Sequence, residues 1–422
     1  MPVCQRKTTR RFIEAILLFV PVSSKADSVE KGYGIAFRFG VFAGRRGGVF
    51  SAFKVHPVFP FQILPRPQVF RTFNMNLRLS TNRTGLLLAA LTFSLSVARA
   101  DKVIFISADG LRPDSIDTLG ETGAPNFYRL RREGAWTSNA RTDVVYTITL
   151  PNHTSMISGL GVVGKQGHGW ISNTDPKLGQ NLHRNRESYL PSVFGVVHDN
   201  GFRTALFASK SKFSLYDLSY DEKLGAADET GADNGRDKID RYVVNEDTGI
   251  LVDDLIATFK DSAAEFTMLH LRDCDSAGHK DGWNLTPGSP YLQAAAKVDG
   301  LVGKLLDAIE AAPAMKGKTW LILTADHGGL TATKGHGEAK ESDNYIIPFF
   351  VRGPGVSAGA DLYALNNGTR QDPGNANPGY EAPMQPIRNG DAGNLVLSLL
   401  RLPAIPGSTI NARQDLKVAG AR

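Results

Sequence analysis

At 422 residues, with 42% hydrophobic and 21% charged residues, the chain has a globular composition, which excludes a disordered, collagen-like or coiled-coil polypeptide. The formal charge of +6 is uneven: residues 1–100 carry 15 Lys and Arg against 3 acids, a net of +12, whereas residues 101–422 carry 33 against 39, a net of −6. The basic character belongs to the leader, so nucleic-acid binding is not expected of the chain that follows.

The leader divides in two. Residues 1–74 hold 11 of the 22 Phe with no sustained period, and they read as an over-long gene model or unstructured leader. Residues 75–100 read as a signal peptide: a basic start with Arg78 and Arg83, an apolar run from Leu86 to Val97, and a small-x-small site, Ala98-Arg99-Ala100. The apolar run is too short for a membrane span. A competing signal at 1–26 would strand a second hydrophobic run at 86–97. Cleavage before Asp101 makes the expected protein periplasmic or secreted, and it leaves Cys274 as the one cysteine, hence no intramolecular disulfide, which fits a bacterial periplasm best.

From 101 onward short β-rich runs alternate with amphipathic stretches, the pattern of an α/β fold around a largely parallel sheet. In chain order the spacing predicts strands at 103–107, 204–208, 266–271, 320–324 and 346–351, and helices at 124–133, 151–158, 190–200, 246–260, 291–312 and 391–401. The stretches 225–240 and 366–390 read as loops on one domain, 101–422. Ligands of open α/β sheets bind at the carboxyl ends of strands.

Three of the strands lead into metal-type ligands. The first delivers Asp109, the one at 320–324 delivers Asp326 and His327, and the one at 266–271 is followed by Asp275 and His279. His336 stands in the loop after His327. Carboxylate and imidazole sets are what a catalytic zinc takes, and six ligands suit two metals ~4 Å apart better than one. Thr149, in Thr-Leu-Pro-Asn-His, places a hydroxyl just before a Pro-started helix, where free N–H groups suit an oxyanion. Taken alone it reads as an ordinary N-cap. His153 and His168 border this region, and His153 reads as a packing residue or a support behind the ligands rather than a ligand. Lys210 and Lys212 follow the strand at 204–208 and could reach an anionic substrate, although solvated lysines are the default; Asp237 and Asp240 have no assignable place.

The segments SADGLRPD, TLPNH, HGWISN, DSAGH, ADHGG and HGEAKESDN followed by IPFFVRGPGV together resemble the metal-binding core of the alkaline phosphatase superfamily, in its nucleotide pyrophosphatase/phosphodiesterase-like branch. The resemblance runs in order over about 101–405. It implies a three-layer α/β/α sandwich, two zinc ions, and a threonine nucleophile that forms a covalent phosphothreonine. One zinc would be held by Asp109, Asp326 and His327 with Thr149, and the other by Asp275, His279 and His336; Asn173 would help bind the phosphoryl oxygen. Two departures stand out. His336 follows His327 by nine residues, where family phosphodiesterases carry a long nucleoside-recognising insertion, and Cys274 stands where the family often has Pro.

The expected activity is therefore metal-dependent hydrolysis of a small phosphate ester, phosphodiesterase or phosphatase. A phosphonoacetate-type C–P hydrolase is the alternative, and a non-catalytic metal- or anion-binding protein the reading from another class. With no Arg evident in these motifs to neutralise a dianion, a diester is the expected preference.

Overall fold

The computed structural model describes residues 101–228 and 235–420, so the two leader segments lie outside the described residues. Eight strands form one mixed sheet: β1 (Lys102–Ala108), β2 (Ala135–Arg141), β3 (Thr204–Ala208), β4 (Arg241–Val244), β5 (Phe266–Leu271), β6 (Thr319–Thr324), β7 (Ile346–Arg352) and β8 (Ala360–Asp361). Their order is β4-β3-β5-β1-β6-β7-β2-β8. Only β7 runs against its neighbours, pairing antiparallel with both β6 and β2.

The sequence of the central strands follows from this position. β1, β5 and β6 are buried at every residue, and with helices on both faces they read as continuous apolar runs rather than alternating ones. The exception at the amino end is Lys102, whose Nζ reaches Glu265 Oε1 and the Ala263 carbonyl, each at 2.9 Å. On one side the helices Pro113–Gly123, Pro125–Glu133, Thr248–Ala257 and Asp273–Asp281 pack around the long helix Pro290–Ala311. Ser289 caps that helix and Pro290 starts it; Tyr291, Ala295, Val298, Val302, Leu305 and Ile309 recur at intervals of three and four on its buried face. On the other side the helices Thr149–Ser158 and Val193–Asp199 pack against Asp391–Leu400.

The expected α/β architecture is present, with differences of detail. The run at 346–351 is a strand, but an antiparallel one. β2, β4 and β8 escape the pattern because they are short or half-exposed near the sheet's edges. The segment after β5 is a helix, Asp273–Asp281, which puts Asp275 and His279 one turn apart on one face. The helix expected from 151 begins at Thr149.

Candidate metal centre

The three central strands β5, β1 and β6 end side by side, and the residues just beyond them converge. Asp109 leaves β1, and Asp275 arrives from the helix after β5 with its N–H on the Asp109 carbonyl at 2.9 Å. Gly110 lies between them with φ +74, and a Cβ there would stand 2.9 Å from the Asp275 backbone. Only glycine satisfies both the conformation and the contact. Asp326 and His327 leave β6, and Asp326 Oδ1 accepts the Gly110 N–H at 3.1 Å.

Each imidazole in the cluster is oriented by a backbone carbonyl. Nδ1 of His327 faces Gly328 O at 2.8 Å, Nδ1 of His336 faces Thr147 O at 2.6 Å, and Nδ1 of His279 faces Lys334 O at 2.9 Å. A carbonyl only accepts, so these contacts assign the proton to Nδ1 and leave each Nε2 with a lone pair. The lone pairs point at other acceptors. His279 Nε2 lies 3.1 Å from His336 Nε2, and His327 Nε2 lies 3.3 Å from both Asp109 Oδ1 and Asp326 Oδ2. Asp109 Oδ1, Asp275 Oδ1, Asp326 Oδ2 and His327 Nε2 are buried without a hydrogen-bond partner. Converging acceptors with no donor among them fit divalent cations.

Two groups of three ligand atoms come within 4.8 Å of one another: Asp109, Asp326 and His327, as the resemblance implies, and Asp275, His327 and His336. His279 stands at the rim of the second group, half exposed, with Nε2 3.3 Å from Asp275 Oδ1. His327 and His336 stack face to face with centroids 3.6 Å apart, so one imidazole adjoins both groups.

The charges are unevenly settled. Burial pushes the Asp109 carboxyl up, but the Lys210 ammonium and the His270 hydrogen bond hold it well below the usual range. Burial and the Asp109 charge likewise push Asp275 up, while the neighbouring His279 and the Lys210 ammonium bring it below the usual range. Asp326 is driven well above the usual range, by burial and then by Asp109. Burial, followed by His336, lowers His327 to about 3. Three buried carboxylates share one ammonium, and the third is forced toward its neutral form; dications at the cluster would let all three ionise.

Thr149 is the first residue of its helix, one beyond the N-cap Ile148, so its side chain is not occupied in capping. It shares a cavity of about 290 Å³ with Asn173, Lys210, Lys212, Asp275 and His279. The Asn173 Oδ1 accepts the Leu150 N–H at 3.0 Å, tying Asn173 to the first turn of the Thr149 helix. Of the positions singled out in the sequence, Thr149, Asn173, Asp275 and His279 line this cavity, while Asp109, Asp326, His327 and His336 lie buried in the cluster to which Asp275 also belongs.

Other readings change. Lys210 is not a solvated lysine: its Nζ donates to both Asp109 Oδ2 and Asp275 Oδ2. Lys212 reaches Asn173 Oδ1 at 3.4 Å, and Arg272 also lines the cavity, so the lack of cations that favoured a diester does not hold. His270, in β5, belongs to none of the sequence motifs; its Nε2 lies 2.8 Å from Asp109 Oδ2 and its Nδ1 2.9 Å from the Ser209 hydroxyl. A histidine amid an apolar strand was the available signal. His153 is fully buried, with Nδ1 on the Thr149 carbonyl at 2.8 Å, and His168 bonds Ser155 Oγ at 3.1 Å, both in supporting roles. Asp240 accepts the Thr204 N–H at 2.7 Å and Asp237 stands 3.4 Å from the Ile239 N–H, both serving the loop before β4. Cys274 lies in the core, and burial pushes its thiol up, so it is no ligand of either group.

Comparison with known proteins gives the fold and the family. Human ectonucleotide pyrophosphatase/phosphodiesterase 5 shares the fold at a TM-score of 0.50 and 16% identity, over 75% of this chain and 99% of its own. The 2-O GAG sulfatase BT1596 does so at a TM-score of 0.50 and 15% identity, over 76% of each chain. No curated protein matches. The family model "Type I phosphodiesterase / nucleotide pyrophosphatase" matches residues 103–349, from the start of β1 into β7, a span that contains every candidate ligand named above. The chain belongs to the type I phosphodiesterase / nucleotide pyrophosphatase family.

Proposed function

We propose that the protein is an exported hydrolase of phosphate esters that works through a covalent phosphothreonine on Thr149, with Asp109, Asp326 and His327 holding one zinc ion and Asp275, His279 and His336 the other. The observation that carries this reading is the set of buried, unpartnered acceptors, Asp109 Oδ1, Asp275 Oδ1, Asp326 Oδ2 and His327 Nε2, facing one another beside the Thr149 cavity. When bound, the two ions supply Lewis-acid neutralisation of the phosphoryl oxygens and a lowered pKa for the nucleophile. The choice of zinc rests on the mixed Asp/His donor set without thiolate.

The residues of the chain divide the remaining work. Thr149 Oγ gives up its proton and attacks phosphorus in line; the P–O bond to the ester oxygen breaks as the new bond forms, and the leaving alkoxide takes up one proton by way of solvent, so that the proton count is unchanged. Water then attacks the phosphothreonine, releasing phosphate or its monoester and restoring the hydroxyl. The N–H groups of the first turn of the Thr149 helix carry partial positive charge toward the transferred group. Asn173 uses its Oδ1 on Leu150, which leaves its amide N–H groups for a phosphoryl oxygen. The carbonyls of Gly328, Thr147 and Lys334 keep the three histidines in one tautomer.

The export part of the proposal rests on residues 75–100 and on the charge reversal across residue 100. No helix of the described residues is long and apolar enough to cross a membrane. The test of the chemistry is Thr149→Ala and Thr149→Ser with p-nitrophenyl and bis-nitrophenyl phosphate. The Ala variant is expected to lose at least ~10³ in kcat with its metal content unchanged, the Ser variant to keep part of the rate, and the wild type to yield a phosphorylated Thr149 peptide on acid quench. Full activity in Thr149→Ala refutes the covalent route.

A further inference from the structure

Thr149 and the Asp326-His327 turn belong to different layers: Thr149 opens a helix on one face of the sheet, and Asp326 and His327 leave β6 within it. One side chain, Asn389, is hydrogen-bonded to both the helix and the turn. Asn389 is 1% exposed and stands just before the helix Asp391–Leu400. Its backbone is fixed independently of its side chain: the N–H donates to Arg141 O, at the end of β2, at 2.9 Å, and the carbonyl accepts the Ala392 N–H at 3.1 Å.

The side-chain amide of Asn389 donates to Asn152 Oδ1 at 3.0 Å and to Asp326 O at 3.2 Å, with Ala325 O at 3.4 Å beside it. The reversed amide would set an oxygen against two carbonyl oxygens, so these contacts assign the nitrogen to this side. Asn152, fully buried in the first turn of the Thr149 helix, uses all its hydrogen-bonding capacity. Its Oδ1 also accepts the Asp143 N–H at 2.9 Å, and its Nδ2 donates to Tyr146 O at 2.7 Å and Ile148 O at 3.1 Å. Those two carbonyls lie in the chain that enters the helix, so Asn152 fixes the approach to Thr149 as well as its first turn. The same approach is tied to the second group of ligands: Thr147 O accepts from His336 Nδ1 at 2.6 Å, and the Thr147 hydroxyl donates to His336 O. Thr149 thus stands between a tie to His336 and, through Asn152 and Asn389, a tie to Asp326.

We infer that Asn389 is a positioning residue, whose amide sets where the Thr149 hydroxyl stands relative to the Asp109, Asp326 and His327 group by holding Asn152 and Asp326 at once. The inference rests on the hydrolase reading for the role of Thr149. Asn389 meets Asp326 at the backbone carbonyl and not at the carboxylate, so it acts on the geometry between nucleophile and ligands while leaving the ligand oxygens free. In-line attack needs the reacting atoms aligned and about 3–3.5 Å apart, and a misplacement of about 1 Å costs roughly 100-fold in rate.

Asn389→Leu is close in size and removes the donor; Asn389→Ala, which crowds nothing, carries the test if the leucine variant does not fold. Each is compared with wild type as the zinc-loaded full chain. With p-nitrophenyl and bis-nitrophenyl phosphate, kcat is expected to fall at least ~10-fold while KM stays within about threefold and the metal content is unchanged, a split that a general loss of stability does not produce. Calorimetry gives a readout independent of turnover. Orthovanadate, which mimics the in-line state only with the Thr149 oxygen as its axial partner, is expected to lose at least ~10-fold in affinity, and inorganic phosphate less than about threefold. A kcat within threefold of wild type, or an unchanged difference between vanadate and phosphate, overturns the inference. So does a fall in rate that comes with loss of metal, since Asn389 then supports the Asp326 turn alone. In a protein that turns over no ester, selective loss of vanadate binding upholds the positioning role and removes the hydrolase reading. Ester turnover that is equal in wild type and both variants does the reverse.

Discussion

His270 offers the sharpest test of how the candidate metal site is held. Its Nε2–H donates to Asp109 Oδ2 at 2.8 Å, its Nδ1 faces the Ser209 hydroxyl at 2.9 Å, and its ring packs on Phe213 with centroids 4.2 Å apart. Asp109 is fully buried, so its two oxygens have separate duties: Oδ2 is taken by His270 and Lys210, and Oδ1 is left facing His327. His270→Phe keeps the ring volume and the packing but removes the donor. A hydrogen bond to a charged group contributes about 1.5–3 kcal/mol net, which corresponds to a factor of roughly 10–150 in an equilibrium constant. Loss of partners behind metal ligands lowers metal affinity by ~10–100-fold in general, the same range. The expected result is therefore a drop of about 30-fold in affinity at the Asp109 site, measured by competition with a chromophoric chelator. His270→Gln, which can still present a donor near the Nε2 position, is expected to recover most of it. Thermal melts of the metal-free proteins run alongside, because a purely structural role would lower stability without a difference between Phe and Gln. Affinity in His270→Phe within twofold of wild type, or an equal loss in His270→Gln, refutes the positioning role.

Other expectations follow from the same geometry. The purified protein is expected to contain two equivalents of transition metal and to lose activity to chelators; one equivalent or less in a fully active preparation contradicts two ions. Gly329→Ala would place a Cβ 2.0 Å from the indole of Trp283, a fully buried side chain, so the indole or the Asp326-His327 turn must shift. Overpacking of this kind costs about 1–3 kcal/mol; an unchanged melting temperature refutes the tight packing. The mature protein isolated from its native cell is expected to begin at Asp101, and N-terminal sequencing that finds residues before 75 refutes both the signal and the over-long start.

Much of the candidate site was legible because its ligands are short-range features. Asp109, Asp326 and His327 sit immediately after apolar runs that can only be buried strands, and the carboxyl ends of such strands lie together whatever the rest of the fold does. Period and composition identified β1, β3, β5, β6 and the long helix Pro290–Ala311, because each buries a continuous face. The antiparallel direction of β7 was not legible: a buried strand looks the same in either direction, and only pairing with β6 and β2 sets it. That Lys210 and Lys212 could reach an anion was open in the sequence, but their partners, and the places of Arg272 and His270, were not legible. A lysine after a strand is a solvated residue by default, and it becomes part of a site only when β3 and β5 pair, at Leu206 with Met268 and Phe207 with Leu269, and bring their ends to the same edge. Which oxygen of Asp109 is left free depends on contacts with Lys210, His270 and His327, each more than 100 positions away. Local sequence determined the kinds of ligand and the strand ends that carry them. The order of strands in the sheet decided which charges meet, because electrostatic partners are set by distance in space, and that distance exists only once the chain has folded.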